Sequence, residues 1–331
     1  MKAVRVRKEI AEKVRRELEK MGVKDRKRRI RFENGCVIIP VNDDFELVSG
    51  EYEIIEDRNP MFRDRKNFRE ILENIAGFYP KNADLKIFGD VGIMKLPQSL
   101  FQYRNKIAHE ILKNYRLNSI WLDRGRHGME RKPEITPLIG NKSLVEIKEN
   151  GCIFRFDLRK VMFSQGNQFE KMRIAGLVER DEIVLDMFAG IGYFTVPLMK
   201  HSKAKKCYAI ELNPDSYGFL LENIRLNGLK NVIPVMGDSM HLTPENFADR
   251  VIMGHIRCEK FLGVAIDALN EEGWVHYHET TPEKIIERPL KRVKRQAESM
   301  NAKILEISMR KVKNYSPGVY HVVVDARIRK N

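Results

Sequence analysis

Between an apolar segment at 183–185 and a helix expected at 193–201 stands Asp186-Met187-Phe188-Ala189-Gly190-Ile191-Gly192. Two glycines at that place let the main chain turn sharply and approach a ligand closely at the strand's carboxyl end. The segment opens an alternation that continues down the chain. Apolar strands are expected at 207–210, 232–235, 251–253 and 274–278, and a helix at 215–227. Strand–helix alternation of this kind folds most economically into a parallel sheet with right-handed crossovers and helices on both faces. The expected fold class is therefore α/β, with a doubly wound, Rossmann-like C-terminal domain. Segments 303–312 and 320–328, joined through Ser316-Pro317-Gly318, depart from the alternation and predict a terminal antiparallel hairpin at the sheet edge.

At 331 residues the chain exceeds one ordinary domain. Two smaller α+β domains are expected ahead of the sheet, dividing the chain at 1–60, 68–162 and 163–331. The first is basic, with an amphipathic helix at 9–21 and a strand at 37–41; residues 51–67 read mostly as a linker. The second reads as a hairpin at 85–94, a helix at 99–115 and a strand at 119–122. There the Gly- and Arg-rich segment 123–128 is expected as a loop. A second hairpin at 144–157 turns on Asn150-Gly151, residues suited to positive φ.

The formal charge of +14, in a chain 43% hydrophobic and 32% charged, points to a polyanionic partner. Cys36, Cys152, Cys207 and Cys258 stand far apart with no Cys-x-x-Cys pair, so no zinc or iron–sulfur site and no disulfide framework is expected. No membrane span and no signal peptide are legible, and a cytoplasmic location is expected.

The acids at the strand ends narrow the ligand. Asp186 ends the first strand, Glu211 the second, and Asp238 in Gly237-Asp238-Ser239 follows the third. An acid just before the Gly-x-Gly would repel a pyrophosphate, but it suits a cationic sulfonium bearing an ammonium group. Glu211 can accept from both ribose hydroxyls, and Asp238 from an adenine amino group. Three such acids in register resemble the S-adenosylmethionine-dependent methyltransferase fold, which makes S-adenosylmethionine the expected cofactor. Enzymes of that fold that methylate a nitrogen commonly carry Asn-Pro-Pro-Tyr after the fourth strand. Here the chain has Met253-Gly254-His255, with neither the amide nor the prolines.

The segments Phe163-Ser164-Gln165-Gly166-Asn167, Asp186–Gly192, Met253-Gly254-His255, His276-Tyr277-His278-Glu279-Thr280 and Tyr315–Asp325 together resemble the archaeal tRNA wybutosine-synthesizing aminocarboxypropyltransferase family. The resemblance runs from about residue 83 to the end. Residues 1–60 look more like the N-terminal domain of the related archaeal tRNA guanine-37 N1-methyltransferases. The resemblance implies transfer of the 3-amino-3-carboxypropyl group of S-adenosylmethionine to C7 of 4-demethylwyosine at position 37 of tRNA(Phe), releasing methylthioadenosine. The alternative is guanosine-37 N1-methylation; a rival of another class is a non-catalytic tRNA-binding protein. The implied partner is the anticodon stem-loop, with no membrane and no obligate protein partner. The resemblance places Ser164 and Lys171, with Arg173 close by, near the methionine part of the cofactor as a cationic anchor for its carboxylate. Cofactor contacts are also expected from Asp186, Phe188, Gly190, Gly192, Glu211, Asp238, Ser239, Met253 and Gly254.

His276 and His278 alternate on one strand and so share a face; one of them is a candidate to take the C7 proton. Glu279 and Thr280 are candidates to line the site. The Arg124, Arg126, His127, Arg131, Lys132 cluster and the basic helix at 283–300, interrupted at Pro289, are candidate RNA contacts. Phe163 is expected in the core.

Overall fold

The computed structural model describes every residue except 26, 47–50, 62–65, 128–131 and 164, and excepting also the side chains of 126, 127, 132 and 165. The chain forms two compact units, Met1–Pro80 with His109–Tyr115, and Lys81–Ala108 with Arg116–Asn331.

The first unit contains β1 (Lys2–Arg7), α1 (Ala11–Lys20), β2 (Arg31–Glu33), β3 (Cys36–Pro40), β4 (Glu53–Glu56) and α2 (Phe68–Ala76). Its four strands form an antiparallel sheet in the order β2-β3-β1-β4. Val14 and Leu18 lie four residues apart, on one face of α1, and both are buried against Val4, Val6, Ile39 and Val41. β4 lies in the stretch read from sequence as a linker. Within β4 only Ile54 and Ile55 are apolar, too few for a period to show, yet they pair with Val4 and Ala3. α2 opens with a capping box between Asn67 and Glu70 and ends at Gly77, φ 80°.

The second unit begins with β5 (Asp84–Phe88), β6 (Val91–Lys95), α3 (Arg104–Asn114, whose last turns belong to the first unit), β7 (Ser119–His127) and β8 (Lys132–Ile139). Their sheet runs β5-β6-β7-β8, with β6 and β7 parallel. Residues 123–127, expected as a loop, instead continue β7 and pair with β8. An irregularity in register between Asp123 and Gly125, with φ 124° at the glycine, carries the strand through the segment. β9 (Leu144–Glu149) and β10 (Cys152–Asp157) form the expected hairpin, with φ 50° at Asn150 and 76° at Gly151.

The rest of the unit is α4 (Gln168–Leu177), β11 (Ile183–Asp186), α5 (Thr195–His201), β12 (Lys206–Glu211), α6 (Pro214–Leu226), β13 (Val232–Met236), α7 (Ser239–Leu242), β14 (Ala248–Met253), α8 (Leu262–Ala268), β15 (Leu269–Pro282), α9 (Arg288–Ser299), β16 (Lys303–Ser316) and β17 (Val319–Arg329). The seven-stranded sheet runs β13-β12-β11-β14-β15-β17-β16. The strands β11 to β15 are parallel, and β17 enters antiparallel between β15 and β16. This is the doubly wound sheet with a terminal hairpin that the alternation predicts. Pro289 does not interrupt a helix: α9 starts at Arg288, leaving the proline in the first turn, where its missing N–H has no intrahelical partner to lose. An aromatic cluster of Phe88, Trp121, Phe154, Phe156 and Phe163 joins the β5–β10 portion to Ile191 and Val196 beside the glycine loop. Phe163 stacks on Phe156 with ring centres 4.9 Å apart, the core placement expected of it. Among the described residues no helix is long and apolar enough to cross a membrane.

Candidate active site

The parallel register places the predicted acids at one end of the sheet. Asp186 pairs with Ala209 and Ile252, and Glu211 with Met236, so Asp186, Glu211 and Met253 close three adjacent strands at their carboxyl ends. Asp238 stands just beyond β13 and caps α7 by accepting from Met240 N at 2.9 Å. Ser239 is buried and donates through its hydroxyl to the carbonyl of Met187, tying α7 to the glycine loop.

Asp186 is fully buried. Its Oδ2 accepts from Thr195 Oγ1 at 2.7 Å, fixing the carboxylate against the start of α5. Burial pushes its pKa up to about 6, against the opposing pull of Thr195 and the Phe188 N–H. Glu211 accepts from Gly190 N and from Asn213 N, each at 2.7 Å. These two bonds hold the acid against the glycine loop and the start of α6.

The glycines are there for space. A Cβ at Gly190, φ 58°, would lie 2.5 Å from the Tyr193 ring, and one at Gly192, φ 95°, 2.6 Å from Val196. Gly254 after β14 is equally tight, with a Cβ 2.7 Å from the Phe194 ring. Phe194 in turn lies 5.3 Å from the His278 ring. Phe188 packs edge-on to Phe261 and sits 5.7 Å from the His255 ring, beside the buried Met253. Acidic strand ends, a glycine cradle and an apolar lining are a donor set that fits a sulfonium nucleoside.

Other expected site residues are bound to protein partners. Lys171, 1% exposed, places Nζ 2.7 Å from Glu149 among the rings of Phe154, Phe163 and Tyr193. Burial lowers its pKa, with Glu149 opposing. Arg173 grips Asp325 with two nitrogens, at 2.8 and 3.0 Å, and Glu170 with two, at 2.9 and 2.6 Å. Either cation would have to exchange a protein carboxylate for a ligand's in order to act as an anchor. Ser164 lies outside the described residues, as do Arg131 and the side chains of Arg126, His127 and Lys132.

His276 is wholly buried between Asp325 and Arg250. The guanidinium can only donate, so His276 Nε2 accepts and Nδ1 carries the proton toward Asp325. Both nitrogens are engaged, and burial, aided by Arg250 and Arg173, lowers the ring's pKa against the pull of Asp325. His278 is also wholly buried; its Nδ1 lies 3.0 Å from His321 Nε2, and its Nε2 makes no hydrogen bond. Glu279, expected among the site-lining residues, is engaged by protein partners. It is 2% exposed and binds Arg288, Arg292 and the Tyr277 hydroxyl. The partners Glu149, Asp325 and His321 carry no local signal in the chain, because each meets its counterpart only through tertiary folding; Glu170 stands one helical turn before Arg173.

Three family models match in succession: the tRNA methyltransferase 5 N-terminal domain over residues 3–48, the TYW2 N-terminal domain over 71–143 and the TRM5/TYW2 methyltransferase domain over 145–305. The chain is 45% identical over 245 residues to the tRNA(Phe) (4-demethylwyosine(37)-C(7)) aminocarboxypropyltransferase of Methanocaldococcus jannaschii, an alignment covering 73% of this chain and 96% of that relative. The chain belongs to the TRM5/TYW2 family. A second relative in the family, the Pyrococcus abyssi tRNA (guanine(37)-N(1))-methyltransferase Trm5b, is 31% identical over 334 residues, covering 98% of each chain. The crystal structure of M. jannaschii TYW2 in complex with AdoMet superposes with a TM-score of 0.62 at 40% identity, covering 75% of this chain and all of that one. The TRM5/TYW2 fold therefore accounts for the doubly wound sheet and for the separate domains ahead of it.

Proposed function

We propose that this chain transfers the 3-amino-3-carboxypropyl group of S-adenosylmethionine to C7 of 4-demethylwyosine at position 37 of tRNA(Phe), releasing methylthioadenosine. One local observation carries the choice over guanosine-37 N1-methylation. The segment leaving β14 is Met253-Gly254-His255, with no Asn or Asp and no Pro to grip an acceptor nitrogen, and it is packed against Phe194 and Phe188. The 45% identity to an enzyme named for this transfer points the same way.

The carboxylates of Asp186, Glu211 and Asp238 would hold S-adenosylmethionine at the strand ends, over Gly190 and Gly192. Bound there, the sulfonium supplies an electrophilic γ-carbon. The chain's own contribution is orientation: it must turn that carbon, rather than the methyl, toward the base, and placement alone can account for much of the rate. A C7–Cγ bond forms, the Cγ–S bond breaks, and the C7 proton leaves. Of the two candidate acceptors, His276 has both nitrogens engaged, whereas His278 Nε2 makes no hydrogen bond and stays the candidate. Residues 1–60 are proposed to contact tRNA, 68–162 to connect and to bind RNA, and 163–331 to catalyse, with the anticodon stem-loop as the recognised element and the cytoplasm as the location.

The test is product analysis with tRNA(Phe) carrying the tricyclic base and cofactor labelled in either the methyl or the propyl carbons. Propyl label in the nucleoside with methylthioadenosine released is expected. Methyl label in the base with S-adenosylhomocysteine released would overturn the reading in favour of methylation.

A further inference from the structure

We propose that the cleft between residues 283–287 and the outer face of α9 is a phosphodiester subsite, which holds the RNA backbone beside the target base. This rests on the reading that the chain modifies tRNA. The cleft measures about 600 Å³ and is lined by Lys284, Arg288, Lys291, Arg292 and Arg295 against a single acid, Glu287. It opens where β15 leaves the sheet at its carboxyl end, the edge at which sheet ligands bind. Glu279 at that edge bridges to Arg257, two residues beyond His255 of the Met253-Gly254-His255 segment, so the cleft adjoins the strand ends that carry the candidate site.

Its floor is built. Buried Glu279 accepts from Arg288 Nε and Arg292 Nη1, each at 2.8 Å, and from the Tyr277 hydroxyl at 2.6 Å. Arg288 also donates through Nη2 to the Thr280 carbonyl, leaving Nη1 for an outside acceptor. Two guanidinium groups are thereby oriented before any ligand arrives, which reduces the ordering cost of binding. Lys284 and Arg295 are exposed and make no ion pair among the described residues. Five cations face Glu287, Glu279 and, at Arg292, Glu259, a surplus that suits an anion. From Arg288 to Arg295 the helix advances about 10 Å, and a nucleic-acid strand rises about 3.4 Å per nucleotide. The row therefore matches consecutive phosphates rather than one free anion. Arginine and lysine supply such backbone contacts without reading sequence.

The experiment is fluorescence anisotropy of a tRNA(Phe) transcript, without cofactor, from 50 to 300 mM KCl. The double variant Lys284→Gln, Arg295→Gln should raise Kd on the order of tenfold at the lower salts and flatten the log Kd against log salt slope by about 1.4 to 1.8, two phosphate contacts' worth. Lys294→Gln, on the same helix but outside the cleft, should stay within about twofold of wild type. Affinity of the double variant for S-adenosylmethionine should match wild type, showing that the cofactor domain is folded. An unchanged salt slope in the double variant, or an equal loss in Lys294→Gln, would overturn the subsite. Failure of the functional reading looks different: the wild-type protein would bind tRNA with the expected slopes yet leave no aminocarboxypropyl group on the base.

Discussion

His276 faces Asp325 across the β15–β17 ladder, with Nδ1 2.5 Å from the carboxylate, while Arg250 Nη1 stands 2.6 Å from its other nitrogen. Arg250 is held in turn by Glu182 through two bonds, and Asp325 by Arg173, which also binds Glu170. One chain of charge-assisted bonds thus ties α4, β14, β15 and β17 together behind the candidate site. Removing one member leaves others buried and unpaired. Asp325→Asn should therefore cost about 3 kcal/mol of stability, measured by urea unfolding at pH 7.5. A loss below about 1 kcal/mol would show the network to be dispensable.

Stability should also fall with acid, beginning near neutrality. Burial lowers His278 and His321 to about 3 in the folded protein, with His276 adding to the effect at His278 and His278 adding to it at His321. Their unfolded values lie near 6.5. The unfolded state therefore binds more protons below about pH 6.5, and stability is lost as pH falls from there toward 3. Unfolding measured at pH 7.5, 6 and 5 should show the decline, and His321→Gln should make it shallower. A flat profile in the wild type would refute the neutral buried pair.

Cofactor binding should depend on the strand-end acids. Asp186→Asn and Glu211→Gln should each weaken S-adenosylmethionine binding by about 1–3 kcal/mol in calorimetry, the worth of a charge-assisted hydrogen bond. The Asp186 carboxyl, raised to about 6 by burial, adds a pH signature. Below that pH it is protonated and loses its attraction for a cationic ligand, so affinity should fall as pH drops from 7 to 5. Asp186→Asn should remove that part of the dependence.

Lys171 separates two roles. In the structure it is buried and paired with Glu149, so Lys171→Met should strand a buried carboxylate and cost about 3 kcal/mol. The ratio of S-adenosylmethionine to methylthioadenosine affinity should then hold at the wild-type value. A selective loss of S-adenosylmethionine binding would instead make Lys171 the anchor of the cofactor carboxylate.

Gly254→Ala should impair transfer, because its Cβ would meet the Phe194 ring at 2.7 Å and that ring is backed by His278. A drop of roughly tenfold or more in turnover, with tRNA affinity intact, is expected from a displacement of about 1 Å near the reacting groups. Wild-type turnover would mean that the site tolerates the shift.

The amino-acid order by itself determined the doubly wound sheet and the place of Asp186, Gly190, Gly192, Glu211 and Asp238, because strand periodicity, glycine loops and strand-end acids are properties of neighbouring residues. The Asn150-Gly151 hairpin was legible for the same reason: its turn chemistry is local. β4 and the outer half of β7 were not legible. Two isoleucines make no period, and a Gly-Arg segment becomes a strand only because β8 supplies its hydrogen bonds. Tertiary structure alone revealed the protein partners of His276, Lys171, Arg173 and Glu279. Each is a polar residue whose meaning depends on its partner, and the partners Asp325, Glu149, Glu170 and Arg288 lie 49, 22, 3 and 9 residues away. Even the pair three residues apart, Arg173 and Glu170, takes its place from the distant Asp325. A charge read along the chain looks available to a ligand; only the folded protein shows whether another part of the chain has already neutralised it.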